Sequence, residues 1–489
     1  MIIIGNNADT VLQSNKKTLT GGQKMSDTNK VKELKEKIFM NTKPGINKIG
    51  ADEVKAADAF CLGYKPFLDY SRTERDTVKY SVELAEKAGF TQFDPAKSYK
   101  AGDRVYVNNR DKALMLAVIG NKGVTEGAQL AIAHIDSPRI DLKPNPLYEA
   151  NGLALFKTHY YGGIRKYQWL AMPLALHGVV CKKDGTKVDI RFGDDDSEPC
   201  LCISDLLPHL AYEQVEKPLR KAFEGENLNV IVGSRPFCDD EEPELVKLNV
   251  MYILNEKYGI TEDDFLSAEL CLVPTYKTRD VGFDGGLVGG YGHDDKCCAY
   301  PALMAAIDTK TPEKTVITVL CDKEETGSDG NTGMQSDYLR YFIYDLAKQD
   351  GVEGHHAISK SKCLSADVNA AFDPTYASCF EAKNSSYLNE GVVISKYTGH
   401  GGKGGTSDAS AEYMGEVRAM LENNNILWQV GELGRVDLGG GGTIAKYVAN
   451  MNVDVVDLGV PVLSMHAPFE IISKVDLYMA YRAFYAFFN

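Results

Sequence analysis

Basic residues are scarce in this chain: 54 Lys and Arg stand against 68 Asp and Glu, which gives a formal net charge of −14. Proteins that bind nucleic acids or anionic membrane surfaces depend on clustered Lys and Arg, so we expect neither as a partner. Long hydrophobic runs are also missing, since no apolar stretch approaches the roughly 20 residues of a membrane-spanning helix. The 44% hydrophobic and 25% charged residues are typical of a soluble globular protein.

The sequence has no Cys-x-x-Cys pair, and its eleven cysteines are an odd number. A disulfide framework is therefore not expected, and a reducing, cytoplasmic location is predicted. The close pairs are Cys200-x-Cys202 and Cys297-Cys298. We do not expect zinc at Cys200 and Cys202, because no second pair or nearby His completes a set of four ligands.

The amino-terminal segment lacks the features of a secretory signal, because it has no basic start and only a short apolar stretch. We expect residues 1–24, which are polar, to be a disordered leader or a segment introduced by cloning. Met25 is an alternative start. Charged sequence with helical character begins at Val31.

The length of 489 residues exceeds one ordinary core, so two or more domains are expected. Apolar residues at three- and four-residue spacing predict helices within residues 31–90. After residue 272, predicted strands alternate with predicted helices. The strands lie near 316–321, 361–366, 391–396 and 453–458, and the helices near 296–307, 335–348, 407–422 and 443–450. This alternation predicts an α/β fold with a mostly parallel sheet flanked by helices.

The sequence changes character between residues 160 and 272, where hairpin signals and acidic patches replace the alternating pattern. Residues 183–186, Lys-Asp-Gly-Thr, are typical of a hairpin turn. We therefore predict an inserted β-rich domain at 160–272 and a catalytic domain formed by residues 25–159 and 273–489. None of the candidate metal ligands described below falls in the inserted segment.

Two adjacent glutamates, Glu324 and Glu325, follow the apolar run 316–321, which predicts a buried strand. Like charges at such a position raise each other's pKa, and a cation beside them removes that cost. Because adjacent side chains point in different directions, one glutamate can bind a metal while the other acts as general base on a water. The alternative, an exposed acidic turn, fits poorly with the buried strand that precedes it.

Other residues of metal-binding type stand at strand ends or turns. His134 and Asp136 share one face of a strand, so Asp136 either orients the imidazole or binds metal beside it. Asp294 precedes a helix, where it is an N-cap or a bridge between two metals. Asp367 and His466 each follow a strand. Singly, each is better explained by an ordinary structural role. Together, imidazoles and carboxylates without a thiol predict a two-metal hydrolytic centre for zinc, manganese or cobalt.

Five segments carry a resemblance to a known family. They are Ala133-His134-x-Asp136-Ser137-Pro138, Gly290-Tyr291-Gly292-x-Asp294-Asp295, Glu324-Glu325-x-Gly327-Ser328, Ser365-Ala366-Asp367 and Ser464-Met465-His466. In order and local context they resemble bacterial members of the aspartyl aminopeptidase family of dizinc exopeptidases. The resemblance extends over nearly all of the chain from about residue 30.

This resemblance implies a role for each matching position. The implied metal ligands are His134 and His466 on one zinc ion each, Asp294 as the bridge, and Glu325 and Asp367 as the remaining carboxylates. Glu324 is implied as the general base, and Asp136 as the residue that orients His134. The implied reaction is removal of the N-terminal residue of a peptide by a water that bridges the metals. The implied architecture is a dizinc exopeptidase-like catalytic domain with an inserted dimerisation domain, assembled in the cytosol into homo-oligomers, often dodecamers.

Two segments depart from the family pattern and bear on the substrate. Where the family has a histidine that reaches a neighbouring subunit's active site, the aligned residue is Tyr167. Lys396 and Lys403 lie in a segment that differs from the family stretch thought to shape the substrate pocket. Either lysine can bind an acidic N-terminal side chain, or both can be solvated loop residues. Preference for N-terminal Asp or Glu therefore stays open.

Two other functions stay open on the sequence alone. A carboxypeptidase or deacylase on the same type of fold would need an arginine for the substrate's carboxylate, and Arg139 and Arg435 are the candidates near the motifs. A non-catalytic assembly protein with a relict site is the other alternative. The complete set of ligands argues against a relict site.

Overall fold

A computed structural model describes residues 21–40 and 44–489 of the chain. Residues 1–20 of the expected leader lie outside the described residues, and the first helix begins at Gly21. The chain divides into two units, and the described strands all belong to the second unit, Ile49–Asn489. In the part of the chain that the structure describes, no helix has the length and apolar character needed to cross a membrane.

Helices form in each of the regions predicted to be helical, and further helices lie at residues 245–258, 354–359 and 474–488, where none is predicted. The α-helices are α1 (Gly21–Ile38), α2 (Ala51–Tyr70), α3 (Glu74–Lys87), α4 (Tyr212–Val215), α5 (Leu219–Ala222), α6 (Leu245–Tyr258), α7 (His293–Asp308), α8 (Tyr338–Gln349), α9 (Gly354–Ser359), α10 (Ala411–Asn423), α11 (Ala445–Ala449) and α12 (Lys474–Phe488). Side-chain caps explain several starts. The Thr73 hydroxyl and the Asp76 side chain form a capping box on α3, and Ser410 caps α10, so the first N–H groups of both helices are satisfied.

The strands fall into three sheets. They are β1 (Thr91–Gln92), β2 (Arg104–Asn109), β3 (Ala113–Val118), β4 (Gln129–His134), β5 (Arg139–Ala150), β6 (Leu153–Tyr161), β7 (Leu174–Cys181), β8 (Lys187–Phe192), β9 (Cys202–Ile203), β10 (Val230–Gly233), β11 (Ala268–Pro274), β12 (Arg279–Val281), β13 (Leu287–Gly290), β14 (Val316–Cys321), β15 (Lys362–Ser365), β16 (Asn369–Ala370), β17 (Val392–Ser395), β18 (Trp428–Val430), β19 (Asp454–Gly459), β20 (Pro461–Leu463) and β21 (Glu470–Ser473).

The nine-stranded sheet has the order β1-β2-β3-β14-β4-β15-β19-β17-β18. Its central strands β14, β4, β15 and β19 are all parallel. Apolar side chains cover both faces, with α2, α3, α7, α10 and α12 contributing to one core and α8, α9 and α11 to the other. A parallel sheet buried on both faces explains why its strands are continuous apolar runs. The predicted mostly parallel α/β sheet flanked by helices is confirmed.

The seven-stranded sheet is antiparallel, with the order β8-β7-β11-β5-β6-β10-β9. It has its own buried core, and residues 183–186 form the turn between β7 and β8, as the hairpin signal predicts. Its first strand begins at Arg139, upstream of the boundary predicted at residue 160. The assignment of residues 160–272 as a dimerisation domain stays a prediction.

A third sheet has five strands in the order β12-β13-β21-β20-β16. Its strand β13 leads into the start of α7, and the connection from β20 to β21 carries His466. Gly290, at the end of β13, pairs with Glu470 on β21. This small sheet therefore brings together the two chain segments that carry Asp294 and His466.

Candidate metal centre

The site forms where the central parallel strands end. His134 is the last residue of β4, and it pairs with Cys321 at the end of β14. Glu324 and Glu325 follow β14 in a short 3₁₀ turn, and Asp367 follows the neighbouring strand β15. Ligand sites of open α/β sheets lie outside the carboxyl ends of such strands. The topology therefore places four of the predicted site residues at one edge.

His134 is buried with its two ring nitrogens facing opposite partners. Nδ1 lies 3.1 Å from the backbone carbonyl oxygen of Asp136 and 3.3 Å from its carboxylate Oδ1. Nε2 lies 3.0 Å from Asp294 Oδ1 and 3.7 Å from Asp367 Oδ1. A neutral ring that donates from Nδ1 to Asp136 leaves Nε2 free to bind a metal.

His466 approaches the same carboxylates from the other side. Its Nε2 lies 3.3 Å from Asp294 Oδ2 and 3.6 Å from Glu325 Oε2. Its Nδ1 lies 3.0 Å from the carbonyl oxygen of Gly163, which can accept the ring N–H. The two oxygens of Asp294 therefore face different histidines, one on each side, as a bridging carboxylate would.

The carboxylate of Asp136 holds the turn that carries the two glutamates. Its Oδ1 accepts the backbone N–H of Glu324 at 3.2 Å, and its Oδ2 accepts that of Glu325 at 3.2 Å. Tyr161 donates its hydroxyl to Oδ2 at 2.7 Å, and the Arg139 guanidinium stacks on the Tyr161 ring at 4.2 Å. Asp136 thus positions the glutamate turn as well as His134.

Two overlapping groups of side chains have ligand atoms within 4.8 Å of one another. One contains His134, Glu324 and Asp367, and the other contains His134, Asp294 and Glu325. A third group of this kind, Asp295 with Cys297 and Cys298, is fully buried. The first two groups, together with His466, contain all of the predicted ligands and the predicted base. The structure therefore brings these residues together, while their individual roles stay predictions.

The electrostatics of the carboxylates fit a cation. Burial, and then the nearby charge of Asp367, raise the pKa of Glu324 to about 8. Burial and the charge of Asp294 raise the pKa of Glu325 well above its usual value, and Oε1 of Glu325 has no hydrogen-bond partner among the described residues. A buried, unpartnered carboxylate oxygen is costly and is the natural ligand of a divalent metal.

At Asp294 and His466, by contrast, the pKa shifts favour the charged forms. Burial alone would raise the pKa of Asp294, but hydrogen bonds from His134 and His466 hold it below its usual range. Burial lowers the pKa of His466, yet contact with Asp294 and Glu325 raises it to about 11. Positive charge is therefore favoured at this position, whether it comes from protonated imidazoles or from bound metal ions.

Two glycines make room for the centre. A Cβ on Gly163 would lie 3.1 Å from His466 Nδ1, and a Cβ on Gly162 would lie 3.1 Å from Glu325 Oε2. Gly162 also has a φ of +73°, which side-chain-bearing residues rarely adopt. The Tyr-Gly-Gly segment therefore allows β6 of the antiparallel sheet to approach both ligands closely.

A cavity of about 350 Å³ opens beside the centre. Besides Asp294, Glu324, Glu325, Asp367 and His466, its lining includes Gly163, Val368, Asn369, Ser395, Thr398, Leu433, Gly440, Gly441, Gly442, Thr443, Asp457, Gly459 and Met465. Burial, followed by the charge of Asp367, raises the pKa of Asp457 to about 7. Asp457 is not among the residues predicted from the sequence, because an acidic residue inside an apolar strand gives no sign of which face it occupies.

The three residues proposed to bind substrate do not line this cavity. Lys396 and Lys403 both form ion pairs with Asp408, at 2.5 and 3.0 Å. Tyr167 lies in a 3₁₀ turn, is 38% exposed, and has its ring 6.2 Å from the ring of Phe223. These three side chains therefore lie outside the cavity lining, and their contact with substrate stays a prediction.

Comparison with known proteins agrees with the geometry. Residues 67–488 match the model of a family described as aminopeptidase I zinc metalloprotease, M18. A curated relative from Clostridium acetobutylicum, named probable M18 family aminopeptidase 1, is 48% identical over 448 residues, which cover 90% of this chain and 96% of the relative.

Solved structures share the fold. The crystal structure of an M18 family aminopeptidase from Thermotoga maritima superposes with a TM-score of 0.87 and 42% identity, covering 92% of this chain and 99% of that one. The S. cerevisiae mApe1 dodecamer, at 20% identity and a TM-score of 0.72, covers 89% of this chain and 97% of that one, and shows the same fold.

The family match spans most of the chain, and the curated relative is similar over almost its entire length. The predicted family resemblance is thereby confirmed, and the alternative functions are not favoured. The chain belongs to the M18 family of aminopeptidase I zinc metalloproteases, and it is a hydrolase of the exopeptidase class.

Proposed function

We propose that the centre holds two divalent cations and removes the N-terminal residue of peptides. The observation that carries the proposal is the position of Asp294, whose two oxygens face His134 and His466 at 3.0 and 3.3 Å. His134 and Asp367 would complete the ligands of one cation, and His466 and Glu325 those of the other. Zinc fits this donor set, and manganese and cobalt fit it as well.

When bound, the cations supply Lewis acidity toward the water and the scissile carbonyl. Glu324 takes the proton of the attacking water on its carboxylate and passes it to the leaving amine. The position of Glu324, within 4.8 Å of the ligand atoms of His134 and Asp367, supports this role, since a base has to lie within reach of the proton that it takes. Asp136 keeps the carboxylate in place through the backbone N–H of Glu324.

The free amino group of the substrate is bound by the acidic wall of the cavity. The lining carries five carboxylates, of Asp294, Glu324, Glu325, Asp367 and Asp457, and the two cations would occupy Asp294, Glu325 and Asp367. A free amino group can bind a cation or the remaining carboxylates, whereas an N-acetylated peptide loses both contacts. Two-metal occupancy with no hydrolysis of blocked peptides is the pattern expected of an aminopeptidase.

The test combines metal content with hydrolysis of aminoacyl anilides and their N-acetylated forms, with and without chelator. We expect two metal equivalents per chain, cleavage of the free anilides only, and loss of cleavage on metal removal. Cleavage of the blocked forms would favour a deacylase. Full metal occupancy without any cleavage would favour the non-catalytic assembly protein.

A carboxypeptidase is disfavoured by the positions of the two candidate arginines. Arg139 pairs with Glu74 and Asp141, each at 2.8 Å, and Arg435 donates to the carbonyl of Ser378. Neither arginine lines the cavity beside the metal centre. A substrate carboxylate would therefore find no arginine or lysine among the described residues that line the cavity.

The side chains that line the cavity also predict the preferred N-terminal residue of the substrate. No Lys or Arg is among the described residues that line the cavity, and Val368, Leu433 and Met465 supply apolar surface. We therefore expect kcat/KM to be higher for leucyl and alanyl anilides than for aspartyl and glutamyl anilides. If the acidic substrates are preferred, Lys403→Ala will show whether Lys403 leaves its ion pair with Asp408 and binds the acidic side chain of the substrate, since the preference would then be lost.

We also propose that the chain self-associates into a homo-oligomer, such as the dodecamer named for the yeast relative. Support comes from an exposed apolar surface on residues 206–222 of the predicted inserted domain. Its members include Leu210, Tyr212 and Val215, which are 66%, 71% and 71% exposed. Contiguous exposed apolar residues are typical of protein interfaces. A cytoplasmic location is consistent with the eleven free cysteines.

Replacing both Leu210 and Val215 by Glu should reduce the sedimentation coefficient, because buried like charges oppose association. Leu62→Glu is the control, since Leu62 is 71% exposed on α2, outside this surface. An unchanged coefficient in the double variant would show that residues 206–222 are not part of the interface. A monomeric wild-type protein would reject self-association itself.

A further inference from the structure

Glu470 is neither a predicted ligand nor the predicted base, but its carboxylate is hydrogen-bonded to the backbone of two predicted ligands. It lies at the start of β21 and is 1% exposed. Its Oε2 accepts the backbone N–H of Asp294 at 3.1 Å, and its Oε1 accepts the backbone N–H of His466 at 2.7 Å. One carboxylate therefore joins the start of α7 to the connection between β20 and β21.

The backbone at His466 requires such support. His466 has a φ of +65°, and Ser464 has a φ of +58°. Residues other than glycine rarely adopt this left-handed conformation, which persists where surrounding contacts enforce it. The bond from the His466 N–H to Glu470 fixes the backbone, and the contact of Nδ1 with the Gly163 carbonyl fixes the ring. Nε2 is then directed at Asp294 and Glu325.

Asp294 is held on both sides of its backbone. Glu470 accepts its N–H, and the hydroxyl of Ser137 donates to its carbonyl at 2.8 Å. The Ser137 hydroxyl in turn accepts a bond from the buried Lys296 Nζ at 2.6 Å. Because both backbone groups are fixed, the Asp294 side chain is directed between the two histidines without a hydrogen bond of its own to a scaffold residue.

A carboxylate is the side chain that suits the position of Glu470. Two backbone N–H groups from different segments each need an acceptor, and both oxygens of a carboxylate accept. An amide of the same size has one acceptor oxygen and one donor nitrogen. A glutamine would therefore leave one N–H facing an N–H₂ group, and an aspartate would retain both acceptors on a shorter side chain.

We infer that Glu470 is a positioning residue. It sets the separation of Asp294 and His466 and thereby the affinity of the metal site formed by His466, Glu325 and Asp294, called the second metal site below. This inference rests on the proposed two-metal function. Glu470 is not among the residues that line the cavity beside the centre, so it acts through the two ligands. Asp294 serves both cations and is also held by Ser137, so the effect of losing Glu470 should fall mainly on the cation held by His466 and Glu325 and leave the ligands His134 and Asp367 in place.

The test compares Glu470→Gln with a matched control, Asp476→Asn. Asp476 on α12 is also fully buried and accepts two backbone N–H groups, from Asn389 at 2.8 Å and Gly391 at 2.7 Å. Metal-depleted proteins are titrated with zinc against a calibrated chelator, and with cobalt by its visible spectrum. For Glu470→Gln we expect the first ion to bind as in wild type and the second to bind about 10–100-fold more weakly. Asp476→Asn should bind both as wild type.

The outcomes separate this inference from the proposed function. A wild-type protein that binds fewer than two ions would reject the two-metal proposal itself. A wild type with two ions and a Glu470→Gln variant of equal affinity would overturn the positioning role, as would equal weakening in Asp476→Asn. Glu470→Asp, which keeps the charge and both acceptors, is a second variant whose second-ion affinity should lie between those of Gln and Glu.

Discussion

Glu324→Gln should lower kcat by about 10²–10⁴-fold, the usual contribution of a general base, while metal content stays at the wild-type value. The amide has the volume of the carboxylate but cannot take a proton from water. The backbone N–H of Glu324 still donates to Asp136, so the turn that carries Glu325 keeps its position. Because the lost interaction belongs to the transition state, kcat and kcat/KM should fall together and KM should change little.

Steady-state kinetics on a leucyl anilide, with metal content measured on the same sample, check this prediction. Glu83→Gln is the control, since Glu83 is an exposed glutamate on α3, remote in sequence from every site segment. Wild-type turnover in Glu324→Gln would show that another carboxylate is the general base. Asp457 is the candidate, because it lines the same cavity. Loss of metal in the variant would instead make Glu324 a ligand.

The sequence predicts the central strands and the site residues at their ends because both leave local signals. The apolar run 316–321 is too continuous for a surface strand, and it forms β14 in the middle of the sheet. A pair of carboxylates directly after such a run has to lie near the sheet edge where ligands bind. The same reasoning applies to His134 after β4 and Asp367 after β15.

The sequence does not predict which residues support the site, because their contacts join distant parts of the chain. Glu470 begins a four-residue strand, and its bond to Asp294 spans 176 positions. Tyr161 reaches Asp136 across 25 positions, from a strand of the other sheet. Periodicity and propensity describe neighbours along the chain, so they carry no signal for such partners. The spacing of Glu470 four residues after His466 is the one local feature that points to a connection.

The start of the antiparallel sheet was missed for a different reason. Residues 139–150 form β5, yet they include Lys143, two prolines and Asn145, which do not alternate as a half-buried strand should. The register of β5 against β6 shifts between Leu142 and Leu147, and this irregularity accommodates the prolines. A bulged strand of this kind has no periodic pattern, so the sequence alone places the change of character near residue 160 and not at Arg139.

Glu325→Gln should have the second large effect, because it removes a ligand rather than a base. We expect the variant to retain at most one metal ion per chain and to lose activity in proportion. The affinity lost should exceed the 10–100-fold typical of residues that only support a ligand. Metal analysis after equilibration at defined free zinc measures this directly. Two ions bound at wild-type affinity would remove Glu325 from the set of ligands.

The metal-free form of the same variant should respond in the opposite direction. Burial, and then the charge of Asp294, raise the pKa of Glu325 well above 4.5 in the folded protein, so the folded state binds this proton more tightly than the unfolded state. The cost of ionising Glu325 is therefore absent below about pH 4.5 and grows as the pH rises toward its folded-state pKa.

Glutamine removes this cost, so metal-free Glu325→Gln should unfold at a higher temperature than metal-free wild type at pH 8, with a smaller difference at pH 5. With zinc the order should reverse, because a ligand stabilises the folded state more the more tightly it binds. A lower Tm than wild type without metal would show that Glu325 contributes to the fold, and that its negative charge is not held in place for a cation.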